Sequence, residues 1–408
     1  MTSASSGLET LRRGVVDLVE EGELARKVAR GPVTVKVGFD PSAPDIHLGH
    51  TVVLRKMRHF QDAGHRVVFV IGDFTAMIGD PSGKKATRPQ LSREEVRANA
   101  ETYTRQAFQI LDREKTVIEF NSRWLSALGS EGWIRLASRI TVARILERDD
   151  FQKRWSARQP IALHELLYPL GQGYDSVALK ADVELGGTDQ LFNLLLGRDL
   201  MREEGLEPQV VMTLPLLVGL DGVEKMSKSL GNAIGIEEPP AEIYGKLMSI
   251  PDALLWSYYE LLTDVPAGEI AAMRLRAESG EANPRDAKAT LARRVTADFH
   301  GDDAAGRAQE DFRRAFARGE LPEEIETKPL ARSEAGAARL LVSAGLASSM
   351  REARRKIAEG ALRVYDGSAP RDVRDPEERL DGAEDTVLRL GRRFLRVRWA
   401  SARPDPSP

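Results

Sequence analysis

The chain has 408 residues, 42% hydrophobic and 30% charged, which suits a soluble protein of two or three domains with a sizeable core. It contains no cysteine, which excludes disulfide frameworks, thiolate chemistry and cysteine-ligated zinc. A net charge of −3 argues against a simple nucleic-acid binder. No apolar run reaches membrane-spanning length, and Met1 to Arg13 lacks the apolar core of a secretion signal, so a cytoplasmic location and no membrane partner are expected.

In chain order, residues 8–30 mix charged and apolar positions at helical spacing and predict a helix. Val33 to Phe39 alternates with period two and predicts a strand. A turn rich in proline and aspartate follows, from Asp40 to Asp45. Val53, Met57 and Phe60 fall at i, i+4 and i+7 and predict an amphipathic helix ending near Gly64. The apolar run Val67 to Ile71 reads as a parallel strand covered on both faces. Strand, helix and strand with short links make a βαβ unit, so the expected fold is α/β, a doubly wound Rossmann-like sheet.

Residues 91–115 and 131–150 look helical, and Val210 to Val218 is a further strand. Pro239-Pro240 marks a boundary, after which Ala241 to about Phe316 is helical. Leu321 to Leu330, with Pro322 and Pro329, reads as a linker. The last segment predicts a helix over Glu334 to Ala344 closed by Gly345. Ser349 and Glu352 form a capping box for a second helix that stops at Gly360. Three strands follow, at Leu362–Tyr365, 387–390 and 394–397. Three domains result: an α/β domain over 1–235, an α-helical domain over 236–328, and a small α+β module over 333–403.

Charge is uneven across these parts. Ser333 to Arg403 holds 15 Lys and Arg against 11 Asp and Glu, on a remainder that is net acidic. Arg351, Arg354 and Arg355 share one helical face, with Lys356 and Arg363 nearby. Such a basic face on an acidic body is expected to meet RNA phosphates.

Two stretches carry the chemistry. In the first, His47-Leu48-Gly49-His50, the turn after the first strand enters its helix, where N–H groups and the helix dipole attract phosphate. The imidazoles can donate hydrogen bonds to developing negative charge. Gly49 lets a base or ribose approach the backbone. The i, i+3 spacing also suits a metal, but no third ligand accompanies it, so no metal site is expected. The second stretch is Lys225-Met226-Ser227-Lys228-Ser229, two ammonium groups on a short loop that can clamp a polyphosphate.

HLGH after the first strand together with KMSKS after a later one resembles the class I aminoacyl-tRNA synthetases. That resemblance implies ATP, brought in with Mg²⁺ as a substrate complex, and no tightly bound cofactor. His47 and His50 would stabilise the transition state at the α-phosphate, and Lys225 and Lys228 would hold the leaving pyrophosphate, with Met226 and Ser227 beside them. Tyr168, Gln172 and Asp175, spaced four and three apart, share one helical face. They resemble the tyrosine pocket of bacterial tyrosyl-tRNA synthetases. Asp175 would accept the phenolic hydroxyl, while Tyr168, Gln172 and Asp80 would take the α-ammonium. In Gly186-Gly187-Thr188-Asp189-Gln190, Asp189 would hold a ribose hydroxyl and Gln190 the amino-acid end. Asp40, Gly49 and Gly187 complete the ATP set.

Lys84 and Arg88 would sit on a loop closing over the phosphates. The stretch Gly79 to Lys85 lacks the spacing of a Walker A loop. Lys36 is placed by this resemblance among the tyrosine-binding residues, but it stands where many tyrosyl enzymes carry a tyrosine that meets the substrate hydroxyl, so Asp175 must carry more of the selection. The resemblance runs over nearly the whole chain. It implies a tyrosine–tRNA ligase, a homodimer with tyrosine, ATP and tRNA-Tyr as partners. The basic module would bind the tRNA and the helical domain would serve its anticodon region. A tryptophanyl-type enzyme, an RNA-binding paralogue without activity and a nucleotidylyltransferase of the same fold are the competing readings.

Overall fold

The computed structural model describes residues 2–41, 45–81, 92–314, 321, 325–366, 370–381, 385–391 and 393–399. Contacts divide the chain into two compact units, Met1–Glu237 with Ile250–Asn283, and Glu238–Ser249 with Pro284–Pro408.

The first unit is built on a six-stranded sheet. Its strands are β1 (Leu18–Val19), β2 (Thr34–Phe39), β3 (Arg66–Ile71), β4 (Thr116–Phe120), β5 (Val183–Gly187) and β6 (Val210–Leu214), in the order β1-β6-β5-β2-β3-β4. Only the β1–β6 pairing is antiparallel. Val67 to Ile71 and Val210 to Met212 are fully buried, as strands covered by helices on both faces must be. The chain moves outward from β2 through β3 to β4, then restarts at β5 and moves the opposite way to β6. Strand order therefore reverses between β2 and β5. In doubly wound sheets, ligands bind in the crevice beyond the carboxyl ends of the strands at such a reversal.

The fold class is the expected α/β, but several elements differ from the sequence reading. Residues 8–30 are not one helix. Helices Thr2–Arg12 and Glu21–Arg30 are separated by Gly14, at φ 66°, and by β1. The helix expected over 91–115 spans Arg93–Ala107, and residues 131–150 form short pieces, Gly129–Ala137 and Val142–Ile145, before Asp149–Ser156. Strand β4 packs at the sheet edge with most of its residues only half-buried, so its apolar pattern is weak. Helices Leu255–Leu262 and Ala267–Glu278 belong to the first unit, where the Tyr258 hydroxyl donates to the Val218 carbonyl at 2.6 Å.

In the second unit, helices Pro240–Ser249 and Pro284–Arg313 pack together, the latter bent at Gly301 with φ 79°. The unit also holds a five-stranded sheet of β7 (Thr327–Leu330), β8 (Leu362–Tyr365), β9 (Arg371–Val373), β10 (Asp385–Leu390) and β11 (Arg393–Trp399). Their order is β7-β11-β10-β8-β9. Leu340, Leu341 and Ile357 from helices Ala337–Ser343 and Met350–Ala358 share its core with Val364, Leu388 and Val397. The expected linker over 321–330 thus ends in a strand. Pro329 is compatible with β7 because β7 lies at the sheet edge, where a missing N–H costs no ladder bond. The capping box is displaced by one residue. The Ser349 hydroxyl accepts from the Glu352 N–H, but the Glu352 carboxylate accepts from the N–H and hydroxyl of Ser348. Among the described residues, no helix is long and apolar enough to cross a membrane.

Candidate active site

A cavity of about 490 Å³ opens at the β2–β5 reversal. It collects residues from far along the chain: from the carboxyl ends of β2 and β5, the helix after β2, the loop after β6 and the helix Tyr168–Leu179 that precedes β5.

The HLGH segment begins the helix Leu48–Asp62, and its histidines cap that helix. His47 Nδ1 accepts from the Gly49 N–H at 3.1 Å, and His50 Nδ1 accepts from the His47 N–H at 3.2 Å. A ring nitrogen that accepts carries no proton, so each imidazole donates through Nε2. Burial lowers the His47 pKa to about 2 and the His50 pKa to about 4, helped by the charges of Lys225 and Lys228. Both rings are therefore neutral donors at physiological pH. A Cβ on Gly49 would stand 2.9 Å from His47 Cε1, so the glycine gives that ring its place.

Opposite lies the KMSKS loop, held in a tight hairpin. The Met226 N–H donates to the Leu217 carbonyl at 2.7 Å, and Met226 is buried. Asn232 ties the loop shut: its Oδ1 accepts from the Ser227 N–H, and its Nδ2 donates to Asp221 and to the Lys225 carbonyl. Lys225 pairs with Asp189 at 2.8 Å and Lys228 with Asp45 at 2.8 Å. Both pairs are partly exposed. Gly187, at the end of β5, precedes Asp189, and a Cβ there would meet the Asp189 carboxylate at 2.6 Å. Gln190 accepts from the Gly187 N–H through Oε1.

The inner end of the cavity is acidic. Asp40 accepts from the Thr75 hydroxyl at 2.7 Å and from the Tyr168 hydroxyl at 2.9 Å. Loss of water raises the Asp40 pKa to about 7, and the Asp80 and Asp175 charges push in the same direction. Asp80 pairs with the buried Arg148 at 3.2 Å. Asp175, on the helix Tyr168–Leu179, accepts from Trp124 Nε1 at 2.7 Å and from Asn121 Nδ2 at 3.4 Å. Burial raises its pKa to about 6, opposed by Lys36 and these two donors. Gln172 lines the cavity one turn earlier, its Oε1 accepting from Asn193 at 2.7 Å. One end of the cavity thus offers carboxylates to a cation and a hydroxyl. The other offers neutral N–H donors and ammonium groups to phosphates.

Most of the expected residues converge here. Asp40, His47, Gly49, His50, Asp80, Gln172, Asp175, Gly187, Asp189, Gln190 and Lys225 to Lys228 all line this cavity, with Tyr168. Lys36 does not line it: the side chain is fully buried and pairs with Glu184. Lys84 and Arg88 lie outside the described residues. Asn121, Trp124 and Thr75 escape the sequence reading, because each acts through a partner distant in sequence and no local motif surrounds it. Asp45 ends the Asp40–Asp45 turn, but its pairing with Lys228, 183 positions away, does not show in the sequence.

The expected basic face lies on the helix Met350–Ala358 and on β8, and it is largely paired. Arg354 meets Glu377 at 2.9 Å, Lys356 meets Glu352 at 2.8 Å, and Arg363 meets Asp372 at 2.7 Å. Arg355 is 3.9 Å from Glu359. These exposed pairs are weak individually and leave the cations available for exchange.

Comparison with known proteins bears on the whole chain. Residues 28–317 match the family described as tRNA synthetases class I (W and Y). A tyrosine–tRNA ligase of Nitratidesulfovibrio vulgaris is 54% identical over 393 residues, covering 96% of this chain and 98% of that protein. This chain belongs to the class I tyrosyl-tRNA synthetases. A tyrosine–tRNA ligase of Haemophilus influenzae is 53% identical over 406 residues, with 98% of each chain covered. Among solved structures, the truncated mitochondrial tyrosyl-tRNA synthetase of Aspergillus nidulans superposes with a TM-score of 0.64 at 22% identity. It covers 78% of this chain and 95% of its own. A tyrosyl-tRNA synthetase of Archaeoglobus fulgidus gives 0.61 at 21% identity, over 75% of this chain and 100% of its own. At such identities these structures speak for the fold alone.

Proposed function

We infer that this enzyme is a tyrosine–tRNA ligase. It activates L-tyrosine with ATP and transfers the tyrosyl group to the 3′-terminal ribose of tRNA-Tyr. The observation that carries the residue assignment is the polarity of this cavity, with carboxylates at one end and His47, His50, Lys225 and Lys228 at the other.

Tyrosine enters with its ring toward Asp175, which accepts the phenolic O–H. Its α-ammonium lies among Asp80, Tyr168 and Gln172 and beside Asp40, offsetting the burial that raises the Asp40 pKa and the repulsion from Asp80 and Asp175 that adds to it. ATP lies between the two motifs with its ribose on Asp189, so Lys225 must exchange that carboxylate for phosphate. The tyrosine carboxylate oxygen attacks the α-phosphorus in line. The bond to the bridging oxygen breaks, and pyrophosphate leaves with that electron pair. The Nε2–H groups of His47 and His50 donate to the α-phosphate oxygens as charge builds, and Lys225 and Lys228 take the pyrophosphate. By resemblance, Lys84 and Arg88 add two more cations for the phosphates. No protein nucleophile is needed: positioning and charge stabilisation supply the rate. Mg²⁺ enters on the nucleotide.

Arg351, Arg354, Arg355, Lys356 and Arg363 contact tRNA phosphates, and the last four give up their acidic partners as they do so. The helical segment within 236–328 serves the anticodon region. The enzyme works in the cytoplasm as a homodimer. Exposed Ile134, Val142, Trp155 and Leu163 support that assembly, being apolar side chains clustered in one stretch of sequence on the first unit. ATP–pyrophosphate exchange across the standard amino acids tests the assignment. Exchange with tyrosine supports it. Exchange with tryptophan alone, or with no amino acid, overturns it.

A further inference from the structure

Lys36 and Glu184 form an ion pair at 2.9 Å with both side chains at or below 1% exposure. They are directly opposed residues on the parallel strands β2 and β5. Side chains alternate along a strand, so Gly38 and Gly186 follow them on the same face of the sheet. Both glycines line the cavity, and a Cβ on Gly38 would meet nothing within 4 Å. The tyrosine end of the cavity is therefore the gap above Gly38, beside Gly186, which Gln190 and Leu194 cover, and the ion pair lies one alternate position deeper.

The pair is fully built into its surroundings. Glu184 Oε2 accepts from the Ser176 hydroxyl and from Gln209 Nε2, each at 2.7 Å. The Lys36 ammonium also donates to the Gln172 carbonyl at 3.3 Å. Gln172 and Ser176 lie one helical turn apart, on either side of Asp175. The pair thus grips the turn that presents Asp175 at both of its ends.

It also sets the charge there. The groups acting on Asp175 from the sheet are Lys36, which favours its ionised form, and Glu184, which opposes it more weakly. Asp40, beyond the end of β2, is a third carboxylate coupled to Asp175. From the segment after β4 come only the neutral donors Asn121 and Trp124. On the neighbouring helix Leu191–Glu203, Arg198 is paired with Glu23. On the turn before Tyr168, Glu165 is paired with Arg154. Lys36 is thus the cation that offsets this cluster of carboxylates from below.

We propose that Lys36 is a specificity-determining positioning residue, which through Glu184 and the Gln172 carbonyl fixes Asp175 as the anionic acceptor that separates tyrosine from phenylalanine. This rests on the assignment of Asp175 to the phenolic hydroxyl. An ionised, buried acceptor is satisfied by the hydroxyl and stranded by phenylalanine. Without Lys36, Asp175 and Glu184 remain as buried carboxylates with no cation between them, and Asp175 stays protonated to higher pH.

The test is the ratio of kcat/KM for tyrosine to that for phenylalanine in pyrophosphate exchange, measured from pH 5.5 to 9.5 on the full chain. Titration of Asp40 or of the ATP site affects both substrates alike and cancels from this ratio. Wild type should hold a constant ratio above pH 7 and lose it near pH 6. Lys36→Met should lower the ratio at pH 7 by about tenfold or more, with recovery above pH 8. Lys36→Met/Glu184→Gln removes both buried charges and carries the test if the single variant does not fold. Its ratio should also fall, by less, because Lys36 acts on Asp175 more strongly than Glu184 does. A purely structural role would lower both kcat/KM values together. Ratio-against-pH curves that superimpose on wild type in every folded variant would overturn the proposal. A wild type inactive with tyrosine would instead overturn the functional assignment beneath it.

Discussion

Gly49→Ala separates the chemistry of the HLGH segment from its folding. Gly49 sits in the first turn of a helix with ordinary backbone angles, so alanine is favoured there by about 1 kcal/mol of helix propensity. The added Cβ meets His47 Cε1 at 2.9 Å and Nδ1 at 3.0 Å, closer than van der Waals contact allows. The remaining close neighbour, Met226 Cβ, is at 3.6 Å and is undisturbed. The His47 ring must therefore swing away and surrender the Gly49 N–H that fixes its tautomer. One donor to the developing charge is lost, an effect of roughly 10²-fold on rate. The melting temperature should stay within a few degrees of wild type. Tyrosine affinity, followed by fluorescence of Trp124 beside Asp175, should be unchanged, because Asp175 lies at the far end of the cavity. Stopped-flow adenylate formation should fall by about 10²-fold. A variant that activates tyrosine at the wild-type rate would refute the role given to the His47 ring.

Three further outcomes are expected. Activation should fall on the acid side with an apparent midpoint between about 6 and 7. Asp40 and Asp175 have raised pKa values and lose their charge as pH drops through that range, whereas His47 and His50 are already neutral there. His50→Asn should accordingly lower the rate without moving the midpoint, and a shifted midpoint would assign the limb to the imidazole. Lys228→Ala breaks only an exposed pair with Asp45, so stability should hold while the activation rate falls much more than tyrosine binding weakens; equal losses in binding and rate would contradict its transition-state role. Arg354→Glu/Arg355→Glu should raise KM for tRNA and leave pyrophosphate exchange intact; an unaltered tRNA KM would remove that face from the interface.

The parts of the fold legible in sequence were those with strong periodicity, such as β2, β3 and the helix Leu48–Asp62. Strand β5 ends in two glycines and β4 is half-exposed, so neither stands out until the sheet is assembled. Strand β7 hid behind a proline that an edge position tolerates. The candidate site divides along the same line. HLGH, KMSKS and the Tyr168–Asp175 face are local patterns whose chemistry shows in their spacing. The buried pair of Lys36 and Glu184, 148 positions apart in a sequence that hints at neither, exists only because β2 and β5 are neighbours. Asn121 and Trp124 likewise become donors to Asp175 only once the end of β4 is packed beside that helix.

The most direct measurement is the charging of purified tRNA-Tyr and tRNA-Trp transcripts with labelled amino acids. Tyrosine should accumulate on the 3′-terminal ribose of tRNA-Tyr in an ATP-dependent reaction, with phenylalanine and tryptophan left unattached. Stable attachment of tryptophan to tRNA-Trp, or no charging of tRNA-Tyr by a folded and ATP-supplied enzyme, would contradict the account.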